Sequence, residues 1–180
     1  MSRYEIRLSG SGGQGMVLAG LILSEAAGIY DGKFVTQTKS YGPEARGGAS
    51  RTEVVISTEE IDYPKVMQPD LVLAMTQEAQ DKYCQDLKKD GILIVDSFYV
   101  DRISREGAIS IPITSYARER LGKELFANTI SLGIIVALTG VVSKQAIENA
   151  VLARAPKGTE QKNRQALEIG FEVAKSYQQN

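Results

Sequence analysis

Leu71-Val72-Leu73-Ala74 and Ile92-Leu93-Ile94-Val95 are short, unbroken apolar runs separated by a polar stretch. A strand with one wet face alternates apolar and polar residues, whereas a run apolar at every position belongs to a strand covered on both faces, as in a parallel sheet. Parallel neighbours need a crossover, and the polar stretch from about Gln77 to Lys88 reads as its helix. Strand, helix and strand then imply a right-handed connection.

The rest of the chain fits around that unit. Tyr4 to Leu8 alternates and reads as a strand. Met16 to Ile29 reads as a helix with Val17, Leu18, Leu21, Ile22 and Leu23 on its apolar part, Ser24 and Glu25 on its polar part, and Gly28 near its end. Lys33 to Thr38 and Thr52 to Ser57 have the β-branched content of strands, and Ala108 to Ile111 is a weaker one ended by Pro112. After a short helix from Tyr116 to Leu121 the sequence turns helical. Asn128 is placed to cap Thr129 to Leu138, Ser143 to cap Lys144 to Arg154, and Thr159 to cap a last helix through Tyr177 with Leu167, Phe171, Val173 and Ala174 inward. Gly122-Lys123 and Pro156-Lys157-Gly158 are turn-sized breaks rather than linkers. The expectation is an α/β fold: one domain over residues 1–180, a doubly wound sheet with a Rossmann-like N-terminal half and a helical C-terminal cover.

Composition narrows what such a fold can do. A formal net charge of -1 over 180 residues offers no general attraction to nucleic acid or to an anionic membrane. The longest apolar run, Ile130 to Val142, is shorter than the roughly 20 residues that span a bilayer, and Met1 to Arg7 does not read as a leader, so a cytoplasmic location is expected. With Cys84 as the single cysteine and no histidine, the chain cannot by itself build a cysteine-rich zinc site or ligate an iron–sulfur cluster. No metal ligand set and no catalytic residue is expected on it. Cys84, without a histidine or second cysteine to activate it, reads as an unremarkable thiol.

Gly10, Gly12 and Gly15 satisfy the G-x-G-x-x-G spacing between the first strand and the first helix. Glycines there allow a tight bend and close backbone approach, and the first free N–H groups of the helix, from Gln14 or Gly15, would favour an anionic group. The second strand ends in Gln37, Thr38 and Lys39, where a nicotinamide site would place an acidic residue; Asp31 precedes that strand. No Gly-Lys-Ser or Gly-Lys-Thr closes the turn, so an autonomous dehydrogenase or ATPase is not indicated. The same spacing also serves strand-to-helix packing or contact with another subunit. A second glycine-punctuated loop follows: Lys39, Ser40, Tyr41, Gly42, Pro43, Glu44, Ala45, Arg46, Gly47 and Gly48, with Arg51 just beyond. Tyr41 has the character of an interface anchor or of a plain surface tyrosine, and Glu44 with Arg46 that of a ligand contact or of a solvated pair.

Gly-Ser-Gly-Gly-Gln-Gly at 10–15, followed by Ser40 to Gly48, resembles the gamma subunit of 2-oxoacid:ferredoxin oxidoreductases. The likeness spans nearly the whole chain, through Gln37-Thr38, Pro69 to Ala74, Gly91 to Ser97, Asn128 and Ala153 to Lys157. It implies one subunit of a complex that decarboxylates a 2-oxoacid, here 2-oxoglutarate, on thiamine diphosphate, passes electrons through iron–sulfur clusters to ferredoxin and releases an acyl-coenzyme A. Thiamine diphosphate, its magnesium and the clusters would sit on alpha, beta and, where present, delta partners. This chain has no Gly-Asp-Gly followed by an asparagine pair to hold the thiamine pyrophosphate. It would be inactive alone, helping to bind coenzyme A and to close the active site. The implied contacts are the N–H groups of Gly12 to Gly15 for an anionic part of coenzyme A, and Lys39, Arg46 or Arg51 for phosphate or subunit contacts. A free-standing nucleotide-binding or regulatory module using the same turn is the alternative.

Overall fold

The computed structural model describes residues 2–41 and 48–178, with residues 41 and 178 described by their backbone alone. Six strands, β1 (Arg3–Ser11), β2 (Phe34–Tyr41), β3 (Ala49–Ser57), β4 (Leu71–Ala74), β5 (Ile92–Asp96) and β6 (Ile109–Ile111), form one sheet in the order β2-β3-β1-β4-β5-β6. The two apolar runs are β4 and β5, fully or nearly buried and paired in parallel, as a crossover unit requires. β1 pairs in parallel with β4 but antiparallel with β3, and β2 is antiparallel to β3. The sheet is therefore mixed, with a β2–β3 hairpin along one edge.

Helices α1 (Met16–Glu25), α3 (Ile113–Leu121), α4 (Ala127–Thr139), α5 (Lys144–Arg154) and α6 (Glu160–Gln178) share a core with the sheet face of Ile6, Leu8, Val54, Leu71, Leu73 and Ile94. The opposite face is covered more thinly: α2 (Gln77–Tyr83) and the loops around it pack Cys84, Leu87 and Val100 on Val72, Leu93 and Val95. This division is why β4 and β5 carry no polar residue until Asp96, whereas β1 and β3 alternate apolar residues with Arg7 and Glu53.

Several sequence expectations shift. Gln77 to Lys88 is helical only to Tyr83, with Cys84 as its C-cap; Lys88 lies beyond and pairs with Asp70 at 2.6 Å. The first helix buries Met16, Ala19, Gly20, Ile22 and Leu23, while Leu18 is exposed, because this face meets both the sheet and the C-terminal helices. It continues as a single π-helical stretch, Ala26–Tyr30. Gly28 lies inside that stretch, where a Cβ would come within 2.9 Å of Val35 Cγ1, so it serves packing and not termination. Ser143 caps α5 as expected, its hydroxyl accepting from Ala146 N at 3.1 Å. Asn128 does not cap: α4 already starts at Ala127, led in by a 3₁₀ turn at Glu124–Phe126. Gly133 of α4 and Gly170 of α6 face one another at the helix crossing, where a Cβ on Gly133 would lie 2.5 Å from Leu167 O and 3.0 Å from Gly170 Cα. Among the described residues no helix is long and apolar enough to cross a membrane.

Candidate functional site

The carboxyl ends of β1, β4 and β5 form one rim of the sheet, and the glycine turn sits on it. β1 runs through Gly10 to Ser11, so Gly10 belongs to the strand; a side chain there would collide with Gln14 and approach Met75 Cβ to 3.1 Å. Gln14 closes the turn with its side chain, accepting from Ser11 N at 2.8 Å, while its own N–H donates to Ser11 O at 3.2 Å. The N–H of Gly12 donates to Gly48 O at 3.3 Å, tying the turn to the returning leg of the second loop. Both of those N–H groups point inward. The outward-facing donors are instead those of the first turn of α1, which have no preceding carbonyl in a helix.

Left-handed backbone explains two of the glycines. Gly13 has φ 94° and Gly15, the N-cap of α1, has φ 77°, a region that costs a β-carbon-bearing residue about 1 kcal/mol or more. Among the described residues nothing lies within 4 Å of the position a Gly13 Cβ would take. Gly15 is closed: a Cβ there would stand 2.5 Å from Asn128 Nδ2. Asn128 is buried, and its Oδ1 accepts from Thr129 N at 2.7 Å and from Thr129 Oγ1 at 3.3 Å. The start of α1 and the start of α4 thus meet through an amide. Sequence reasoning singled out Asn128 as a cap and as one position of the family likeness, but nothing local announces its contact with Gly15, 113 positions away.

Lys39 and Ser40 part company on the sheet. Register pairs Lys39 with Thr52 and Ser40 with Arg51, and alternation puts Lys39 on the α1 face with Gln37, whose amide donates to Val17 O at 3.2 Å and Thr52 Oγ1 at 3.0 Å. Lys39 is exposed there, toward the amino end of α1, where a cation and a helix N-terminus favour the same anion. Ser40 and Arg51 face the other side. There they line, with Thr38, Glu53 and Lys65, a polar hollow of about 260 Å³ that Lys39 also borders from its own side of the strand. Arg51 lies over the Tyr83 ring, 5.2 Å from its centroid, and 3.9 Å from Glu53. Below it, buried Arg7 donates to Glu53 at 2.7 Å, to Tyr83 O at 2.8 Å and to Asp86 at 2.9 Å. Arg7 holds the Asp86 carboxyl below the usual carboxylate range, chiefly by that hydrogen bonding, against the opposing effect of burial. Of the remaining candidates, Tyr41 ends β2 opposite Ser50 and Gly48 takes the bond from Gly12; Gly42, Pro43, Glu44, Arg46 and Gly47 lie outside the described residues.

Two neighbours of the turn complete the rim. An apolar cavity of about 100 Å³ opens between Leu18, Ile22, Phe126 and Val151, with Asn128 and Asn163 at its wall. Asp96, at the end of β5, is fully buried and accepts from Thr114 Oγ1 at 2.5 Å, Thr114 N at 3.3 Å and Phe98 N at 3.1 Å. Burial pushes its carboxyl up, opposed by those hydrogen bonds. Cys84 is buried, and desolvation pushes its thiol to about 12, which leaves it unreactive as a nucleophile. Among the described residues no group of three or more His, Cys, Asp or Glu could hold a metal ion. Among the described residues, the donors at the start of α1 and the exposed Lys39 lie on one face beside the turn.

Known proteins resemble this chain along nearly its whole length. Residues 5–173 match the family model for pyruvate ferredoxin/flavodoxin oxidoreductase. The subunit KorC of 2-oxoglutarate synthase from Methanocaldococcus jannaschii is 50% identical over 177 residues, covering 96% of this chain and 95% of that protein. The crystal structure of a keto/oxoacid ferredoxin oxidoreductase gamma subunit from Geobacter sulfurreducens superposes with a TM-score of 0.88 at 50% identity, over 98% of both chains. A 2-oxoglutarate:ferredoxin oxidoreductase from Magnetococcus marinus, solved with 2-oxoglutarate, coenzyme A and succinyl-CoA bound, shares the fold at TM-score 0.85 and 21% identity, over 98% of this chain but 32% of that one.

Proposed function

We propose, for a chain that belongs to the pyruvate ferredoxin/flavodoxin oxidoreductase family, that it is the gamma subunit of an enzyme oxidising 2-oxoglutarate to succinyl-coenzyme A and carbon dioxide, with electrons passed to ferredoxin. What carries the reading is end-to-end correspondence with KorC at 50% identity, because a subunit that matches another along 96% of its length shares its outline and its surfaces as well as its core. The partners are alpha, beta and, where present, delta subunits, which would hold thiamine diphosphate, magnesium and the iron–sulfur clusters.

The contribution of this chain is to coenzyme A binding and to closing the active site. Coenzyme A supplies, when bound, the thiol that takes up the acyl group. The residues present suit its phosphates: among the described residues nothing crowds Gly13, the first N–H groups of α1 point outward from Gly15, and Lys39 stands on the same face. Asn128 fixes the turn against α4, so the donors are oriented before a ligand arrives. Glu44, Arg46 and the glycines at 42 and 47, which lie outside the described residues, are assigned to coenzyme contacts because the family resemblance implies them there.

Affinity isolation of the tagged chain from its native host tests the subunit reading: 2-oxoglutarate-dependent, coenzyme A-dependent reduction of ferredoxin should copurify, and its absence refutes the assignment. Replacement of Gly13 by valine should raise the KM for coenzyme A in the assembled enzyme; an unchanged KM with intact assembly removes the turn from the coenzyme site.

A further inference from the structure

The β2–β3 hairpin turns a polar surface away from α1. Register sets Thr38 opposite Glu53 and Ser40 opposite Arg51, and these side chains line the hollow of about 260 Å³ together with Lys65 and, from around the edge strand, Lys39. The carboxylate of the hollow is already engaged: buried Arg7 holds Glu53 at 2.7 Å, whereas Arg51 stands 3.9 Å from it. Among the described residues neither Lys39 nor Lys65 forms an ion pair, and the hydroxyls of Thr38 and Ser40 donate to no acceptor.

Both principal cations are held in place. The Arg51 guanidinium lies over the Tyr83 ring, and the Tyr83 hydroxyl is itself fixed by donating to Ala49 O at 3.1 Å. Lys65 belongs to the irregular segment after β3, whose backbone is gripped from the sheet. Arg3 donates to Tyr63 O and to Lys65 O, both at 2.9 Å, and Thr36 Oγ1 donates to Pro64 O at 2.8 Å. Glu5 accepts from Met67 N at 2.8 Å and from Gln68 N at 3.0 Å. A segment tied down on both sides of its lysine loses little further freedom when an anion arrives.

We infer that this hollow is a binding site for a phosphate dianion, with Arg51 and Lys65 as its principal cations and the hydroxyls of Thr38 and Ser40 as neutral donors. A guanidinium and an ammonium converging with hydroxyls on one small concave space is the chemistry that recognises a phosphoryl group. The two lysines that no carboxylate neutralises match its two charges. The site goes beyond the coenzyme reading, which sets its phosphates beside the first turn of α1 and Lys39, because Arg51 and the segment carrying Lys65 stand on the other face of the sheet. Free phosphate and a phosphate ester share this chemistry.

Isothermal titration calorimetry of the full-length chain with inorganic phosphate, at constant ionic strength and about pH 8 where phosphate is a dianion, tests the site. The chains are wild type, Lys65→Gln, Arg51→Gln and a control, Lys175→Gln, which removes a cation from α6 across the sheet; thermal unfolding of each shows that it is folded. Wild type and Lys175→Gln should bind phosphate with equal affinity, and Lys65→Gln and Arg51→Gln about tenfold more weakly. No saturable binding by wild type, an unchanged affinity in folded Lys65→Gln, or an equal loss in Lys175→Gln overturns the proposal. Repeating the titration with coenzyme A present separates the sources: displacement of phosphate traces the natural group to the coenzyme, and persistence traces it to another phosphate. Failure here leaves the coenzyme reading standing, since neither Arg51 nor Lys65 belongs to the glycine turn, and an unchanged KM in Gly13→Val leaves this site standing.

Discussion

The side-chain amide of Asn128 is packed against the α-carbon of Gly15, joining the N-cap of α1 to the first turn of α4 so closely that a methyl group on Gly15 would come within 2.5 Å of Nδ2. Gly15 is also left-handed, at φ 77°. Gly15→Ala should therefore destabilise the chain by about 2 kcal/mol, part from backbone strain and part from the collision. Urea unfolding of Gly15→Ala, Asn128→Ala and the double variant separates the two: the collision should vanish in the double variant while the backbone part remains, giving a favourable coupling energy.

Gly133→Ala and Gly170→Ala should each cost more than the helix-propensity gain of alanine returns, by about 2 kcal/mol or more. Each new methyl meets backbone of the facing helix, which cannot turn aside. Gly140, equally a glycine of this region but with nothing within 4 Å of its would-be Cβ, should respond only to its φ of 61°. Differential scanning calorimetry of the three variants gives the order.

Acid should loosen the Arg7 cluster. The Asp86 carboxyl has a folded pKa below the unfolded one, so its stabilisation is present above the unfolded value of about 3.9 and is lost as pH falls through the folded value. Its side chain is 48% exposed, which keeps the effect to about 1 kcal/mol. Asp96, with a raised folded pKa, acts in the opposite direction: its contribution is complete below the unfolded value and is lost as pH rises through the folded one. Stability measured against pH for Asp86→Asn should accordingly fall less steeply below pH 4 than for the native chain, whereas for Asp96→Asn the difference should lie above about pH 4, where the native chain loses the Asp96 contribution as pH rises and the variant does not.

Asp96→Ala strands the Thr114 N–H and hydroxyl and the Phe98 N–H in a buried site, at about 2–4 kcal/mol. Asp96→Asn keeps one acceptor and should cost about half as much or less. Equilibrium unfolding of the pair checks this, and a smaller loss for alanine than for asparagine would show that the site takes in water.

The parallel core was legible in β4 and β5 because burial on both faces leaves a mark in every residue. The hairpin was not. Alternation in Thr52 to Ser57 identifies a strand, but an antiparallel neighbour and a parallel one ask the same of it, so neither β2 nor β3 announced its direction. The glycine turn was found where it lies, yet its chemistry was misallocated in part: Gly12 and Gln14 use their N–H groups internally, a hydrogen-bonding choice that spacing cannot reveal. The separation of Lys39 from Ser40 and Arg51 follows from strand alternation alone. Lys88 was read onto a helix that ends at Tyr83, where Cys84 takes the C-cap and the chain bends toward Asp70.

The bond from Gly12 to the carbonyl of Gly48 carries the β1–β3 ladder, which already pairs Gly10 with Ser50 and Ser11 with Ala49, one step further into the turn. The glycine turn is thereby stapled into the hydrogen-bonded edge of the sheet and does not hang from it as a free loop.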